Sequence, residues 1–249
     1  MSSYHIFARY YDLLSREIEY TAIADYHVGL LSLYGENVRT MADVACGTGS
    51  LTCLYAQKGF HVIGLDNSED MLMQAAQKTY ADRRPAAFVQ QSMEDFVLPA
   101  PRDAVLCSFD SVNHLSSVEG LASFFRQTGR ALKPDGLLIF DMNTLYKHRE
   151  ILGNNTFVYD MEDVYLVWQN SFSESTKRVL LELDFFIKQS ENGLFERYSE
   201  SFRESYFSPK QIEKALTDNG FAIRAVYDDF TMNPPHKESQ RLTYVAVRQ

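Results

Sequence analysis

Between Thr40 and Met142, short apolar runs alternate with stretches whose apolar residues recur at helical spacing, and this alternation limits the fold more than any other feature of the chain. TMADVA is followed by a helix from about Ser50 to Lys58 closed by Gly59, then by HVIGLD and a helix through Met71 and Ala75. AAFVQQ and DAVLCSF come next, then a helix carrying Leu121, Phe124, Phe125 and Leu132, and finally LLIFDM after the turn signal KPDG. Strands that alternate with helices imply an α/β fold built on a parallel sheet.

The flanks obey different rhythms. Apolar residues at Ile6, Phe7, Tyr10, Tyr11 and Leu14, then at Ile23, Tyr26, Leu30 and Leu33, predict two opening helices within residues 1–36. After about Asn143, VYLVWQ, RVLLELDFFIK and LFERYSESFRESYF read as consecutive strands, the last two joined across Asn192-Gly193, a hairpin signal. This predicts an antiparallel cap inserted at residues 157–207. A helix from Pro209 to Thr217, stopped by Asn219-Gly220, the strand FAIRAVY and a last strand LTYVAV complete one domain over residues 1–249.

Composition removes several classes of function. With 249 residues and 45% hydrophobic content the chain can bury a sizeable core. A formal net charge of -9 opposes a phosphate backbone, so a small-molecule substrate is expected rather than nucleic acid. Cys46, Cys53 and Cys107 show no paired or metal-ligand spacing, so reduced thiols, a cytoplasmic location and no metal are expected. No stretch of about 18 apolar residues and no signal-peptide block suggests a membrane. Monomer and homodimer remain open.

DVACGTGS, from Asp43 to Ser50, carries the chemistry. Where a strand turns into a helix against a ligand, glycine supplies positive φ and removes the Cβ, and Gly47 and Gly49 meet that need. Asp66 ends HVIGLD nineteen positions after Gly47, where a second-strand carboxylate faces the ribose hydroxyls of a nucleoside. A dinucleotide fingerprint wants a small third residue where this chain has Thr52, and a P-loop wants a lysine directly after the loop, whereas none follows until Lys58. By themselves the glycines are equally compatible with an ordinary strand-to-helix turn.

Taken together, DVACGTG, GLDNS, QSMEDF, DAVLCSFDSVNHL and LKPDGLLIFDMNT resemble the class I S-adenosylmethionine (SAM) dependent methyltransferases, over roughly Tyr10 to Thr144. Among these, the likeness is to bacterial small-molecule enzymes with an antiparallel insertion after the fifth strand. It implies a doubly wound, mostly parallel seven-stranded sheet, with SAM as cofactor. In the acid-x-Gly-x-Gly-x-Gly pattern Asp43, Gly47 and Gly49 match, while Ala45 replaces the first glycine. The resemblance assigns Ala45 to Gly49, with Thr48, to the methionine end of SAM, Asp66 to the ribose, and Asn67 with Met71 to the adenine edge. Ser92 stands where relatives often carry an aspartate for the adenine amino group, and Met93 offers the adjoining adenine wall. Cys107 falls where family backbones touch the methionine portion, and Tyr11 resembles a tyrosine that covers the SAM site. Asn233-Pro234-Pro235-His236 is similar to a base-methylating motif but lies far from the fourth strand, and a proline-rich turn explains it.

Because SAM is already activated, alignment is the main task of such a protein and a general base is optional. Asp110, Asn113 and His114, after the fourth strand, are the candidate catalytic residues; for His114 capping of the following helix is the plainer role. The stripe Leu194, Glu196, Tyr198, Glu200, Phe202, Glu204 and Tyr206 shares one strand face. It could hold an amine acceptor, although a solvated face of ion pairs is the plainer explanation. A non-catalytic SAM-binding regulatory module and an RNA methyltransferase are the competing functions.

Overall fold

The computed structural model describes residues 5–80, 86–189 and 193–249. Seven strands form the main sheet: β1 Thr40–Val44, β2 His61–Asp66, β3 Ala87–Gln90, β4 Arg102–Cys107, β5 Leu132–Asn143, β10 Phe221–Asp228 and β11 Arg241–Arg248. Their order is β10-β11-β5-β4-β1-β2-β3, with parallel pairing from β5 to β3 and antiparallel pairing of β11 with β5 and of β10 with β11.

Alternation along the strands gives each face its own core. Leu138, Phe140 and Met142 pack with α5 (Val118–Ala131) and α6 (Pro209–Asp218) on one side. Leu137 and Ile139 pack with α2 (Tyr20–Tyr34) and α3 (Ser50–Gln57) on the other. α1 (His5–Leu14) and α4 (Glu69–Tyr80) complete the long helices. Because β2 leaves β1 on one side and β4 lies on the other, the carboxyl ends of β1 and β4 form a switch point, where ligands of such sheets bind.

The insertion between β5 and α6 is a four-stranded antiparallel sheet in the order β6-β7-β8-β9. It holds one strand more than the sequence predicts. β6 (Thr156–Asp160) is short and leaves most of its residues exposed, so it carries little of the periodicity that marks β7 (Val164–Ser173), β8 (Arg178–Lys188) and β9 (Phe195–Ser205). β8 and β9 pair as expected, with Lys188 opposite Phe195; of the predicted turn, Gly193 has φ +68°, and Asn192 lies outside the described residues.

Two boundaries differ from the sequence reading. Leu132 opens β5 instead of closing α5. The KPDG segment is a bulge inside β5: pairing with β4 passes from Arg102–Leu132 to Ala104–Leu137, and Asp135 takes φ +59° within the looped-out residues.

Candidate active site

The loop after β1 alternates into left-handed backbone at Ala45 (φ +57°), Gly47 (φ +55°) and Gly49 (φ +73°). The two glycines do different work. A Cβ on Gly47 would project into open space, whereas one on Gly49 would lie 2.7 Å from the Phe88 ring, so Gly49 answers to packing. Ala45, in place of a glycine, accepts a left-handed φ that costs an L-residue roughly 1–2 kcal/mol.

Asp66 fastens this loop to β2. Its Oδ2 accepts from the Gly47 N–H at 2.8 Å and its Oδ1 from the Ser68 N–H at 2.8 Å. Burial raises its carboxyl above the usual range, against the backbone N–H groups that favour the anion. A carboxylate has about four lone-pair sites, so each oxygen keeps capacity for a ribose hydroxyl.

A cavity of about 530 Å³ opens over the carboxyl ends of β1, β2 and β4. Of the sequence candidates, Tyr11, Ala45, Gly47, Asp66, Asn67, Met71, Ser92, Met93 and His114 line it. Cys46, inside the loop assigned to the methionine end of SAM, joins them, as do Gln91, Ser108, Phe109 and Ser111, which the sequence reading did not single out as site residues. The open space over Gly47 and the spare acceptor capacity of Asp66 suit a nucleoside with a polar tail.

Other candidates lie outside this cavity. Cys107 is fully buried in the core. Thr48 donates from Oγ1 to Asp12 at 2.7 Å, which ties α1 to the glycine loop. Asp43 is buried and accepts from the hydroxyl of Thr52, the residue that argued against a dinucleotide fold. Burial pushes the Asp43 carboxyl up to about 7, against that hydroxyl. The folded state therefore holds a proton that the unfolded chain releases near pH 4. This stability is full below pH 4 and is lost as pH rises through 7, by up to about 4 kcal/mol. Asp43→Asn should accordingly melt progressively higher than wild type from pH 5 to pH 8 without ligand; parallel melting profiles would contradict this.

Next to the first cavity lies a second, of about 400 Å³, between α1, the loop after β4 and the inner face of the inserted sheet. Phe7, Tyr11, Phe109 and His114 line both. Leu166, Trp168, Leu181 and Phe202 supply apolar wall, and Asp110, Asn143, Lys147, Glu204 and Arg241 gather at the charged end.

The loop between the cavities is strained and firmly held. Phe109 (φ +56°) and Asp110 (φ +53°) are consecutive left-handed residues, and the Asp141 carboxylate accepts from both N–H groups, at 2.8 and 2.7 Å. Arg241 bridges Asp141 and Asp110, the latter at 2.6 Å. Although burial acts to raise it, Arg241 and Lys147 hold the Asp110 carboxyl below the usual range, so Asp110 is a poor proton acceptor.

Asn113 is not at either cavity. It is fully buried, donating to the Ser205 carbonyl at 2.9 Å and accepting from the Asn143 N–H at 2.8 Å, which joins the loop to the inserted sheet. His114 does not cap α5, because Ser117 does so by accepting from the Gly120 N–H. Exposed on a short 3₁₀ turn, His114 reaches both cavities.

The β9 stripe is also corrected. It faces inward at its functional end: Glu200 accepts from the Ile6 and Phe7 N–H groups at the start of α1, and Glu204 is buried against His148 and Asn143 at 2.9 Å each. Period two identified the shared face but not the helix covering it. Asp110, His114 and Glu204 place one ligand atom each within 4.8 Å of one another. A metal ion there would compete with the Arg241 and His148 partnerships and face Lys147. No helix among the described residues is long and apolar enough to cross a membrane.

Comparison with known proteins agrees with this geometry. Residues 41–136 match the model of a methyltransferase domain. YqeM of Bacillus subtilis, provisionally named a methyltransferase, is 32% identical over 98% of this chain and 97% of its own. The crystal structure of a SAM-dependent methyltransferase from Clostridium acetobutylicum superposes with a TM-score of 0.88 at 27% identity, covering 98% of both chains. A dTDP-3-amino-3,4,6-trideoxy-alpha-D-glucopyranose N,N-dimethyltransferase of Streptomyces venezuelae is 32% identical over 53% of this chain and 54% of its own. Near-complete coverage by YqeM, joined to a glycine loop, an acidic β2 end and a cavity at the switch point, makes this chain a member of the SAM-dependent methyltransferase family.

Proposed function

We propose that the protein transfers the methyl group of SAM to a small molecule held in the second cavity. The observation that carries this reading is the shared wall: Phe7, Tyr11, Phe109 and His114 border both spaces, so a ligand in each would meet there. SAM, when bound, supplies a methyl group on a sulfonium that needs no further activation. Gly47, Asp66, Asn67, Met71, Ser92 and Met93 hold it in the first cavity. Tyr11 and Phe7 cover the junction and exclude water, and the backbone of Phe109, fixed through Asp141, sets the wall against which the acceptor is aligned. His114 is the only one of the three candidate catalytic residues placed to take a proton at the junction; Asp110 is committed to Arg241 and Asn113 is buried away from it.

Within this reading the whole chain is one methyltransferase unit. The insert at 157–207 is its acceptor-side cap, and of the opening helices α1 covers the site while α2 supports the sheet from behind. The Streptomyces relative, which acts on an amino sugar, supports a small acceptor. With methyl-labelled SAM and a cell extract, the label is expected in the low-molecular-mass fraction; accumulation in RNA or protein instead would overturn the proposal.

A further inference from the structure

At the charged end of the second cavity, three of the four ionic groups already have partners. Arg241 is engaged by Asp110, Asp141 and Asp229, and Glu204 by His148 and Asn143. Lys147 differs. It follows β5, its backbone N–H donates to Thr144 Oγ1, and its side chain lines the cavity. Among the described residues its ammonium makes no hydrogen bond or ion pair. Burial, followed by the neighbouring Arg241, pulls its pKa below the ordinary lysine value, by more than the charges of Asp110, Glu204 and Asp141 restore. A cation without a partner is costly away from bulk water, and an anionic group on a ligand in the cavity would complete it.

We infer that the methyl acceptor is a small organic acid with an apolar body, whose carboxylate pairs with Lys147 while Trp168, Leu181 and Phe202 enclose the rest. The inference rests on the second cavity being the acceptor site. A carboxylate fits better than a phosphate, because one ammonium is on offer and Asp110 and Glu204 border it, which disfavours a dianion. A cationic acceptor would approach Lys147 and Arg241 with both nearby carboxylates already engaged. The amine suggested by the β9 stripe is thus disfavoured in its charged form.

Trp168 is the only tryptophan of the chain and lines this cavity, so its fluorescence reports occupancy without turnover. The probes are 3-phenylpropionate, its primary amide and 3-phenylpropylamine, titrated with S-adenosylhomocysteine present. In the wild type the acid should bind about 10- to 100-fold more tightly than the amide or the amine. Lys147→Met should erase that preference and Lys147→Arg should restore most of it. Equal or tighter binding of the amide or amine, or an unchanged preference in Lys147→Met, would overturn the assignment of the carboxylate to Lys147. If Trp168 responds to none of the probes while S-adenosylhomocysteine still raises the melting temperature, the second cavity itself fails as the acceptor site, and the inference falls with it.

Discussion

Asp141→Ala should cost the folded state about 3–5 kcal/mol, the range found when one partner of a buried ion pair is removed. The substitution leaves Arg241 facing Asp110 without its second buried counter-charge, and strips the carboxylate acceptor from the N–H groups of Phe109 and Asp110. Those two residues occupy left-handed backbone that non-glycine residues avoid, and the substitution removes the acceptor that fixes both of their N–H groups. Asp141→Asn retains one acceptor oxygen but turns an N–H donor toward the other amide, and should fall between the two. Urea unfolding at neutral pH measures both. A loss below about 0.5 kcal/mol in Asp141→Ala would mean that the loop geometry is set elsewhere.

Asp66→Ala should weaken SAM binding by about 10- to 100-fold, the equivalent of one charge-assisted hydrogen bond of roughly 1.5–3 kcal/mol. The structure adds a second consequence. Because Asp66 also accepts from Gly47 and Ser68, its removal orphans two backbone donors and should lower stability in the absence of ligand. Asp66→Asn separates the two roles by keeping one acceptor. Calorimetric titration with SAM is the measurement, and wild-type affinity in the alanine variant would remove Asp66 from the ribose site. Since burial raises the Asp66 carboxyl, wild-type affinity should decline on acidification at a higher pH than an ordinary aspartate would give, and the asparagine variant should lack that decline.

The parts legible in the sequence are those set by local chemistry. β2 runs over HVIGLD, α3 ends before Gly59 at φ +98°, and the glycine loop meets Asp66 as its spacing implies. The illegible parts depend on residues distant in the chain. Asp141 sits in a strand and reads as one more residue of LLIFDM; only folding brings the loop after β4 and Arg241 onto its carboxylate. Lys147 opens a short π-helical segment after β5 with no periodic signal, and its lack of a partner is a property of the assembled cavity. Asn113 looked catalytic because its segment lies at the carboxyl end of β4, yet the inserted sheet draws its amide away through Ser205. Glu204 was placed on the correct face, but that this face turns from water was settled by α1 over Glu200 and by Asn143 and His148 against Glu204.

That helix is fastened at both ends to different parts of the molecule. Its first N–H groups are held by Glu200 of the inserted sheet, and near its end Asp12 is held by Thr48 of the glycine loop and by Lys78. Phe7 and Tyr11 between these anchors touch both cavities. A ligand that favoured one setting of α1 would therefore alter the affinity of the other cavity, and by thermodynamic linkage the factor would be the same in both directions. Ten residues of helix thus border both cavities while tying the inserted sheet to the glycine loop.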